Sequence, residues 1–325
     1  MPWRQATERA LYGPGGFYLR PGGPGAHFRT SAHVGSGFAA ALLTLADRAG
    51  LRTVVDVGSG RGELLREMHH RRPDLELVGV ERAPRPPDLP AEIGWLPAVP
   101  SVEDALVVAN EWLDNVAIDV VTVTADGPRV LLVDVATGEE VPGSAPPPED
   151  LAWLDRWWPL SRAREGDRAE VGRPRDEAWA EVVSKLGRGL AVAVDYDTTV
   201  AERTAGRFAA GTLAGYRLGR TVVPVPDGSC DVTSHVALDA CAAAGAAAGA
   251  TSTVVLRQRQ ALECLGLAAH RPPRDLAVTE PAAYLAALRE AGEHAELLDA
   301  DGLGGFGWLV QGVGVDVSRL LSARQ

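Results

Sequence analysis

Three glycines within seven residues form the first chemically informative segment of this chain. The segment reads Asp56-Val57-Gly58-Ser59-Gly60-Arg61-Gly62 and follows a short β-branched run. In an open α/β sheet, ligands bind beyond the carboxyl ends of the strands, and glycines there let the backbone approach a ligand closely. The segment is therefore predicted to be a ligand-binding turn between a strand and a helix.

The spacing of these glycines discriminates between ligands. A dinucleotide fingerprint places its third glycine three residues after the second, whereas Gly58, Gly60 and Gly62 are two apart. An acidic residue such as Asp56 also disfavours a pyrophosphate at the following helix N-terminus. S-adenosylmethionine has no phosphate; it carries a sulfonium cation and a zwitterionic amino-acid end. The turn, including Ser59, is predicted to bind S-adenosylmethionine rather than a nicotinamide, and a structural turn without a ligand is the remaining alternative.

A second acidic residue, Glu81, ends the next predicted strand. A carboxylate at that point can accept hydrogen bonds from both hydroxyls of a cofactor ribose, as it does in NAD-binding proteins. Glu81 is therefore predicted to bind the ribose. The glycine spacing, and not this acid, separates the two cofactors.

A polar segment, Asn110-Glu111-Trp112-Leu113-Asp114, follows the third predicted strand. Asn110 is expected to contact the cofactor. For Glu111 and Asp114 two interpretations stay open. In one, Glu111 caps the next helix and Asp114 is solvated; in the other, one or both of these candidate catalytic residues face the methyl acceptor. A carboxylate pair would suit an arginine, because a guanidinium is held bidentately by carboxylates.

Other residues complete the candidate site. His235 is a predicted catalytic residue, and an acceptor with a hydroxyl or carboxylate would favour a histidine base such as His27, His33 or His235. Residues 13–25 are mostly glycine and proline, and the loop 13–33 is expected to form a lid that orders over the cofactor. Thr30 and Ser31 are expected to lie near the amino-acid end of the cofactor.

The elements that would position these residues follow from hydrophobic periodicity. Buried strands are predicted at 53–57, 76–81, 105–110 and 189–196, with helices at 36–49 and 63–70. Asp126-Gly127 predicts a hairpin added to the parallel sheet. Residues 149–188 are predicted to be helical in two pieces, helices are expected around 235–249 and 257–265, and the tail is expected to end in a strand.

This order of elements predicts an α/β protein with a Rossmann-like, mostly parallel sheet and an added helical region. Three consecutive parts are expected: residues 1–50 as a lid and helix, 51–140 as the cofactor-binding core, and 141–325 as a helical insertion that then completes the sheet.

The charge and cysteine content of the chain restrict which ligands and binding partners are expected. The 325 residues carry a net charge of −11, which disfavours nucleic acid and anionic lipid. The three cysteines match no zinc pattern, so no metal is expected, and their scarcity fits a cytoplasmic location. No apolar run is long enough to span a membrane. The sequence leaves the oligomeric state open.

Six ordered segments resemble one family, the MidA/NDUFAF7 (DUF185) group of class I S-adenosylmethionine-dependent methyltransferases. The resemblance covers roughly residues 10–315. Its segments read FRTSAHVGSGFAAAL (28–42), DVGSGRGEL (56–64), ANEWLDNVAID (109–119), AEV to VDYD (169–197), GTLAGYRLGR to VALD (211–239) and RQRQALECLG (257–266). At several positions the chain departs from the family pattern, including Ala26-His27 and Ala32-His33, where two carboxylates are missing.

The resemblance implies a Rossmann-like methyltransferase core with an added helical region. It makes Gly58, Gly60, Gly62 and Glu81 cofactor contacts and places Asn110 and Glu111 in the cleft. One mitochondrial member of the group methylates an arginine of a respiratory complex I subunit. A protein or peptide is therefore the expected acceptor. The alternatives are an assembly or chaperone-like protein that binds the cofactor without turnover, and a small-molecule methyltransferase of secondary metabolism.

Overall fold

The computed structural model describes residues 1–19 and 29–322, which form two compact units. The parallel-sheet unit contains residues 29–110, 185–194 and those from 250 onward. The antiparallel unit contains residues 1–19, 111–184 and 195–249. Each unit draws on all three consecutive parts expected from the sequence.

The described residues contain two runs of consecutive strands without an intervening α-helix, at 76–142 and at 214–233. The strands are β1 (Thr53–Val57), β2 (Glu76–Val80), β3 (Gly94–Leu96), β4 (Ala105–Asn110), β5 (Asp119–Thr124), β6 (Gly127–Val133), β7 (Glu140–Pro142), β8 (Arg168–Val171), β9 (Gly189–Asp195), β10 (Ala214–Arg217), β11 (Arg220–Val222), β12 (Asp231–Thr233), β13 (Ser252–Arg257) and β14 (Gly307–Val313).

Helices of the described residues range from four to 18 residues in length. They are α1 (Trp3–Tyr12), α2 (Gly37–Ala49), α3 (Glu63–Arg71), α4 (Pro148–Trp157), α5 (Arg173–Ser184), α6 (Val200–Thr204), α7 (Leu238–Ala247), α8 (Gln258–Cys264), α9 (Leu276–Thr279), α10 (Pro281–Leu298) and α11 (Val317–Leu320). None of them is both long and apolar enough to cross a membrane.

A seven-stranded sheet forms the centre of the parallel-sheet unit, in the order β13-β14-β9-β4-β1-β2-β3. β1 pairs in parallel with β2 and with β4, so that Asp56 lies opposite Gly79 on one side and Val108 on the other. β4 pairs in parallel with β9, while β13 and β14 are antiparallel. The carboxyl ends of β1, β2 and β4 therefore meet at one edge, as the predicted Rossmann-like fold requires.

Burial explains why the short apolar runs form these strands. Val54, Val55, Leu106 and Val108 are completely inaccessible to solvent, as expected of a parallel sheet that is covered on both faces. The helix predicted at 36–49 is confirmed as α2. It ends at Gly50, which adopts the left-handed conformation with a φ of 68°.

The hairpin at Asp126-Gly127 is confirmed, but its predicted place in the parallel sheet is wrong. β5 and β6 belong to a separate antiparallel sheet in the order β7-β6-β5-β8. Val121 and Val130 pack on one hydrophobic cluster with Trp153, while Val120 and Leu131 pack on another with Trp3. Because alternate residues face opposite sides of a strand, both faces of this sheet are buried, and it forms its own core.

Other sequence expectations can be compared element by element. The helical pieces within 149–188 are confirmed as α4 and α5, with the unexpected strand β8 between them. The helices near 240 and 260 are confirmed as α7 and α8, and the final strand as β14. The sequence analysis missed α1, α10 and β13.

The start of β9 offers a stability test. Gly189 has a φ of 143°, and a Cβ there would lie 2.0 Å from the carbonyl oxygen of Ala105 on β4. We expect Gly189→Ala to lower the free energy of unfolding by roughly 2–4 kcal/mol, since the clash is with backbone. Gly249→Ala is the control, because Gly249 has a φ of 124° and no atom within 4 Å. Equal losses for the two variants in denaturant unfolding would contradict this packing.

Candidate functional site

The glycine turn joins β1 to α3 in the parallel-sheet unit. Gly58, Gly60 and Gly62 have φ values of 75°, 57° and 79°, a left-handed region that other residues rarely adopt. The backbone N–H groups of Gly58 and Ser59 donate to the carbonyl oxygen of Val80, at 2.9 and 3.3 Å. The turn is thereby fastened to the end of β2. Its glycines are explained by the backbone conformation that the turn adopts.

Asp56 and Ser59 bind each other inside this turn. Asp56 is only 4% exposed, and the hydroxyl of Ser59 donates to its Oδ2 at 2.6 Å. Burial raises the pKa of Asp56 to about 7, although the hydrogen bond from Ser59 acts in the opposite direction. The carboxyl group is therefore close to half-protonated at neutral pH and is directed at the turn itself.

Glu81 reaches the same turn from the end of β2. Its Oε2 accepts from the backbone N–H of Gly60 at 3.1 Å, and its Oε1 accepts from that of Ala83 at 3.1 Å. Beside it, a Cβ on Gly79 would come within 2.5 Å of the Trp95 ring. The structure therefore places Glu81, which is predicted to bind the ribose, against the glycine turn, and the Trp95 ring lies next to them.

Asn110 is the last residue of β4, opposite Val194 of β9. Because β1 pairs with both β2 and β4, Asn110 ends its strand at the edge that carries the glycine turn and Glu81. The contact of Asn110 with the cofactor stays a prediction.

Thr30 and Ser31 occupy different environments. The Thr30 hydroxyl lies 2.7 Å from Nδ1 of His33 and is partly exposed. Ser31 is completely buried, and its hydroxyl lies 3.1 to 3.3 Å from the side-chain amide of Gln258. Gln258 Oε1 also accepts from the indole N–H of Trp308 at 3.0 Å. Ser31 thus belongs to an interior polar network, whereas Thr30 remains reachable. Of the loop 13–33 that is expected to form a lid, residues 20–28 lie outside the described residues.

A second group of candidate residues lies in the antiparallel unit. Glu111 has a φ of 52°, and its carbonyl oxygen accepts from the side chain of Asn115 at 3.2 Å. Asp114 is 7% exposed, and its Oδ2 accepts from the Thr233 hydroxyl at 2.8 Å. Its backbone N–H donates to Oδ2 of Asp195 at 3.0 Å. The interpretation in which Asp114 is solvated is therefore wrong.

Arg175 is the buried cation of this group. It is 3% exposed, and its guanidinium donates to the backbone carbonyl oxygens of Asp114, Val116, Ser234 and His235 over 2.7 to 3.1 Å. It also donates to the Ser234 hydroxyl at 3.0 Å. The guanidinium is thus held by carbonyl groups and stabilises nearby carboxylates through its charge. The sequence analysis missed it, because a basic residue in the first turn of a helix is usually solvated.

Burial raises the pKa values of the aspartates in this group. Burial raises the pKa of Asp114 and, with the added repulsion of Asp114, raises that of Asp195 well above its usual value. Burial also raises the pKa of Asp231 to about 7. Arg175 acts against these shifts at Asp114 and Asp195, because its positive charge lowers the pKa of both carboxyl groups.

Two aromatic side chains, Tyr18 and Tyr196, contact residues of this second group. The Tyr18 hydroxyl lies 2.7 Å from Oδ1 of Asn115 and 3.2 Å from Oδ2 of Asp231. The His235 ring stacks on Tyr196 with 5.7 Å between ring centroids. Burial lowers the pKa of His235, and the charge of Arg175 acts in the same direction. The imidazole is therefore neutral at pH 7, and its buried Nδ1 has no hydrogen-bond partner in the described part of the chain.

Neither group has the composition of a metal centre. Within residues 1–19 and 29–322, no set of three or more His, Cys, Asp and Glu side chains is arranged to hold a metal ion. The parallel-sheet unit instead presents a glycine turn, a facing acid and a polar strand end, which are features of a nucleoside-containing cofactor site.

Comparisons with known proteins define the class. The chain matches a COG1565 superfamily member from Burkholderia thailandensis crystallised with S-adenosylhomocysteine, at 26% identity and a TM-score of 0.80, over 97% of this chain and 88% of that chain. It also matches a native structure of a COG1565 superfamily protein from the same organism, at 26% identity and a TM-score of 0.81, over 100% of this chain and 90% of that chain. No curated protein matches the sequence.

These comparisons and the fold define an S-adenosylmethionine-dependent methyltransferase. The profile of the Methyltransf_28 family of S-adenosyl-L-methionine-dependent methyltransferases matches residues 70–256. This match covers more than half of the chain, and the chain belongs to that family. The resemblance seen in the sequence is confirmed, as is S-adenosylmethionine as the cofactor.

The raised pKa of Asp231 predicts a pH-dependent stability. An unfolded aspartate titrates near pH 4, whereas folded Asp231 titrates at about 7. The unfolded state therefore loses its proton first, and this residue's stabilising contribution is lost as the pH rises from about 4 to about 7. We expect Asp231→Asn to reduce the downward slope of the unfolding free energy in that window by up to about 1.4 kcal/mol per pH unit.

The control for this measurement is Asp126→Asn, because the Asp126 side chain is 86% exposed. It should leave the pH dependence of denaturant unfolding unchanged. Identical slopes for wild type and Asp231→Asn would show that Asp231 titrates normally.

Proposed function

We propose that this methyltransferase binds S-adenosylmethionine at the glycine turn and transfers its methyl group to an arginine of a protein or peptide. The observation that carries the cofactor half is the hydrogen bond of 3.1 Å between Glu81 and the backbone of Gly60. It joins the predicted ribose ligand to the turn predicted to hold the amino-acid end. Both lie at the sheet edge where ligands of such folds bind.

The residues at this edge fit the chemistry of the cofactor. Gly58, Gly60 and Gly62 have no side chains that would fill the space beside the turn, while Asp56 and Ser59 hold its shape. Glu81 provides acceptors for ribose hydroxyls. Asn110 and Thr30 add polar groups, while buried Ser31 bonds to Gln258 in the interior. When bound, S-adenosylmethionine supplies an electrophilic methyl group on a sulfonium.

Glu81→Gln tests the cofactor half. The substitution keeps the size of the side chain but removes the charge that strengthens hydrogen bonds to the ribose. We expect the affinity for S-adenosylhomocysteine, measured by calorimetry, to fall by roughly 1–3 kcal/mol. The matched control is Glu76→Gln at the opposite end of β2, where the side chain is exposed. Unchanged binding by Glu81→Gln would place the ribose contact elsewhere.

The acceptor half of the proposal rests on the carboxylates of the antiparallel unit. Glu111 is half-buried and follows Asn110 directly in the chain, whereas Asp114 and Asp195 are buried. The charge of Glu111 contributes to the raised pKa of Asp195. In this proposal Glu111 binds the guanidinium of the acceptor, and Asp114 is the second acid of the pair. The net charge of −11 also favours a cationic acceptor.

Methyl transfer to a guanidinium requires a place for a proton. The methyl group passes from the sulfonium to a guanidinium nitrogen, the sulfonium becomes a thioether, and the nitrogen loses one proton. His235 is the proton acceptor in this proposal, because burial keeps its imidazole neutral. Glu111 orients the nitrogen for this step.

Glu111→Gln tests the acceptor half. We expect methyl transfer to be abolished while the affinity for S-adenosylhomocysteine stays within about threefold of wild type, a difference near RT. Glu139→Gln, an exposed acid of the same unit, should retain full transfer. Retained transfer by Glu111→Gln would exclude this residue as the acceptor ligand.

Incubation with methyl-labelled S-adenosylmethionine and cell lysate distinguishes the alternatives. Label on a protein arginine supports the proposal. Label recovered only in small molecules would support the secondary-metabolism alternative, and cofactor binding without any labelled product would support the assembly or chaperone-like alternative.

A further inference from the structure

A hydrogen-bonded chain of three side chains lies beside the glycine turn. Thr30 Oγ1 is 2.7 Å from Nδ1 of His33, and Nε2 of His33 is 3.5 Å from Oε1 of Glu63. All three residues belong to the parallel-sheet unit. Thr30 is the N-cap of a 3₁₀ turn (Ser31–His33), and His33 is the last residue of that turn.

Glu63 places this chain at the turn itself. It is the first residue of α3, directly after Gly62, and its Oε2 accepts from the backbone N–H of Arg61 at 3.0 Å. A Cβ on Gly60 would lie 3.5 Å from the same oxygen. The carboxylate therefore borders the space that the missing glycine side chains leave open.

Glu63 is also the acid at this turn that is best suited to binding a cation. Asp56 is buried and near half-protonation, and both carboxylate oxygens of Glu81 accept from backbone N–H groups. At Glu63, Oε2 accepts from the backbone of Arg61, whereas Oε1 lies 3.5 Å from the His33 ring. Burial alone would raise the pKa of Glu63, but hydrogen bonds from His33 and from backbone N–H groups lower it. Glu63 is thus ionised at neutral pH, and its side chain is 31% exposed.

The contact between His33 and Glu63 is easily exchanged for a ligand. At 3.5 Å it is longer than a good hydrogen bond. The His33 side chain is 26% exposed, and Thr30 holds its other ring nitrogen. A group with one positive and one negative end could therefore lie between the two side chains with little loss of protein–protein bonding.

We propose that His33 and Glu63 recognise the zwitterionic amino-acid end of the cofactor, Glu63 binding its ammonium group and His33 its carboxylate. Thr30 fixes the orientation of the His33 ring. This inference rests on the proposed cofactor site. It assigns the specificity for the amino-acid end to two side chains, in addition to the backbone of the glycine turn.

Two ligands separate this role from a structural one. S-adenosylhomocysteine carries the zwitterionic end, whereas 5′-methylthioadenosine has the same adenosine and a thioether but lacks that end. With the full-length protein, Glu63→Gln and His33→Gln should each weaken S-adenosylhomocysteine binding roughly tenfold or more, because a charge-assisted contact is lost. Binding of 5′-methylthioadenosine should change less than about twofold.

The control is Glu67→Gln on the same helix, where the carboxylate pairs with Arg71. It should bind both ligands as wild type does. Equal weakening of both ligands by the two test variants, or weakening of neither, would overturn the inference. If only one variant folds, its own ratio of the two affinities decides the result. Wild-type protein that binds neither ligand would instead refute the proposed cofactor site.

Discussion

Parallel pairing of β1 with both β2 and β4 is the constraint on which the candidate cofactor site depends. The register sets Asp56 opposite Gly79 and Val108, so the three strands end at the same edge of the sheet. The glycine turn, Glu81 and Asn110 follow those ends directly. Their proximity is therefore a consequence of strand pairing, and the hydrogen bond from Gly60 to Glu81 completes it.

Apart from buried Asp56, the candidate acids at the glycine turn are more exposed than the candidate aspartates of the antiparallel unit. At the glycine turn, Glu63 and Glu81 remain partly exposed and accept backbone hydrogen bonds. In the antiparallel unit, Asp195 and Asp231 are almost completely buried, and their pKa values are raised. Arg175 offsets part of this electrostatic cost while satisfying four backbone carbonyl groups. The first group is suited to binding ligands, whereas the second combines structural carboxylates with half-buried Glu111.

Much of the candidate cofactor site could be predicted from the sequence, because the sequence patterns that indicate it are local. A run of valines predicts a buried strand, alternate glycines predict the turn, and an acid at the end of the next strand predicts Glu81. Each signal depends on a few neighbouring residues and on one rule about parallel sheets.

The remaining features depend on contacts between distant segments. Burial of Arg175 requires carbonyl groups from residues 114–116 and 234–235, which no local pattern reveals. The separate sheet of β5 and β6 depends on two hydrophobic clusters, one of which includes Trp3 from the amino-terminal helix. Similarly, Ser31 resembled a ligand residue in sequence, but Gln258 and Trp308 hold it in the interior.

The most direct test is a crystal structure of the protein with S-adenosylhomocysteine. The account predicts the ribose hydroxyls within hydrogen-bond distance of the Glu81 carboxylate, and the amino-acid end against the backbone of Gly58 to Gly62. Ligand bound at any other edge of the parallel sheet, or a ribose that makes no contact with Glu81, would contradict it.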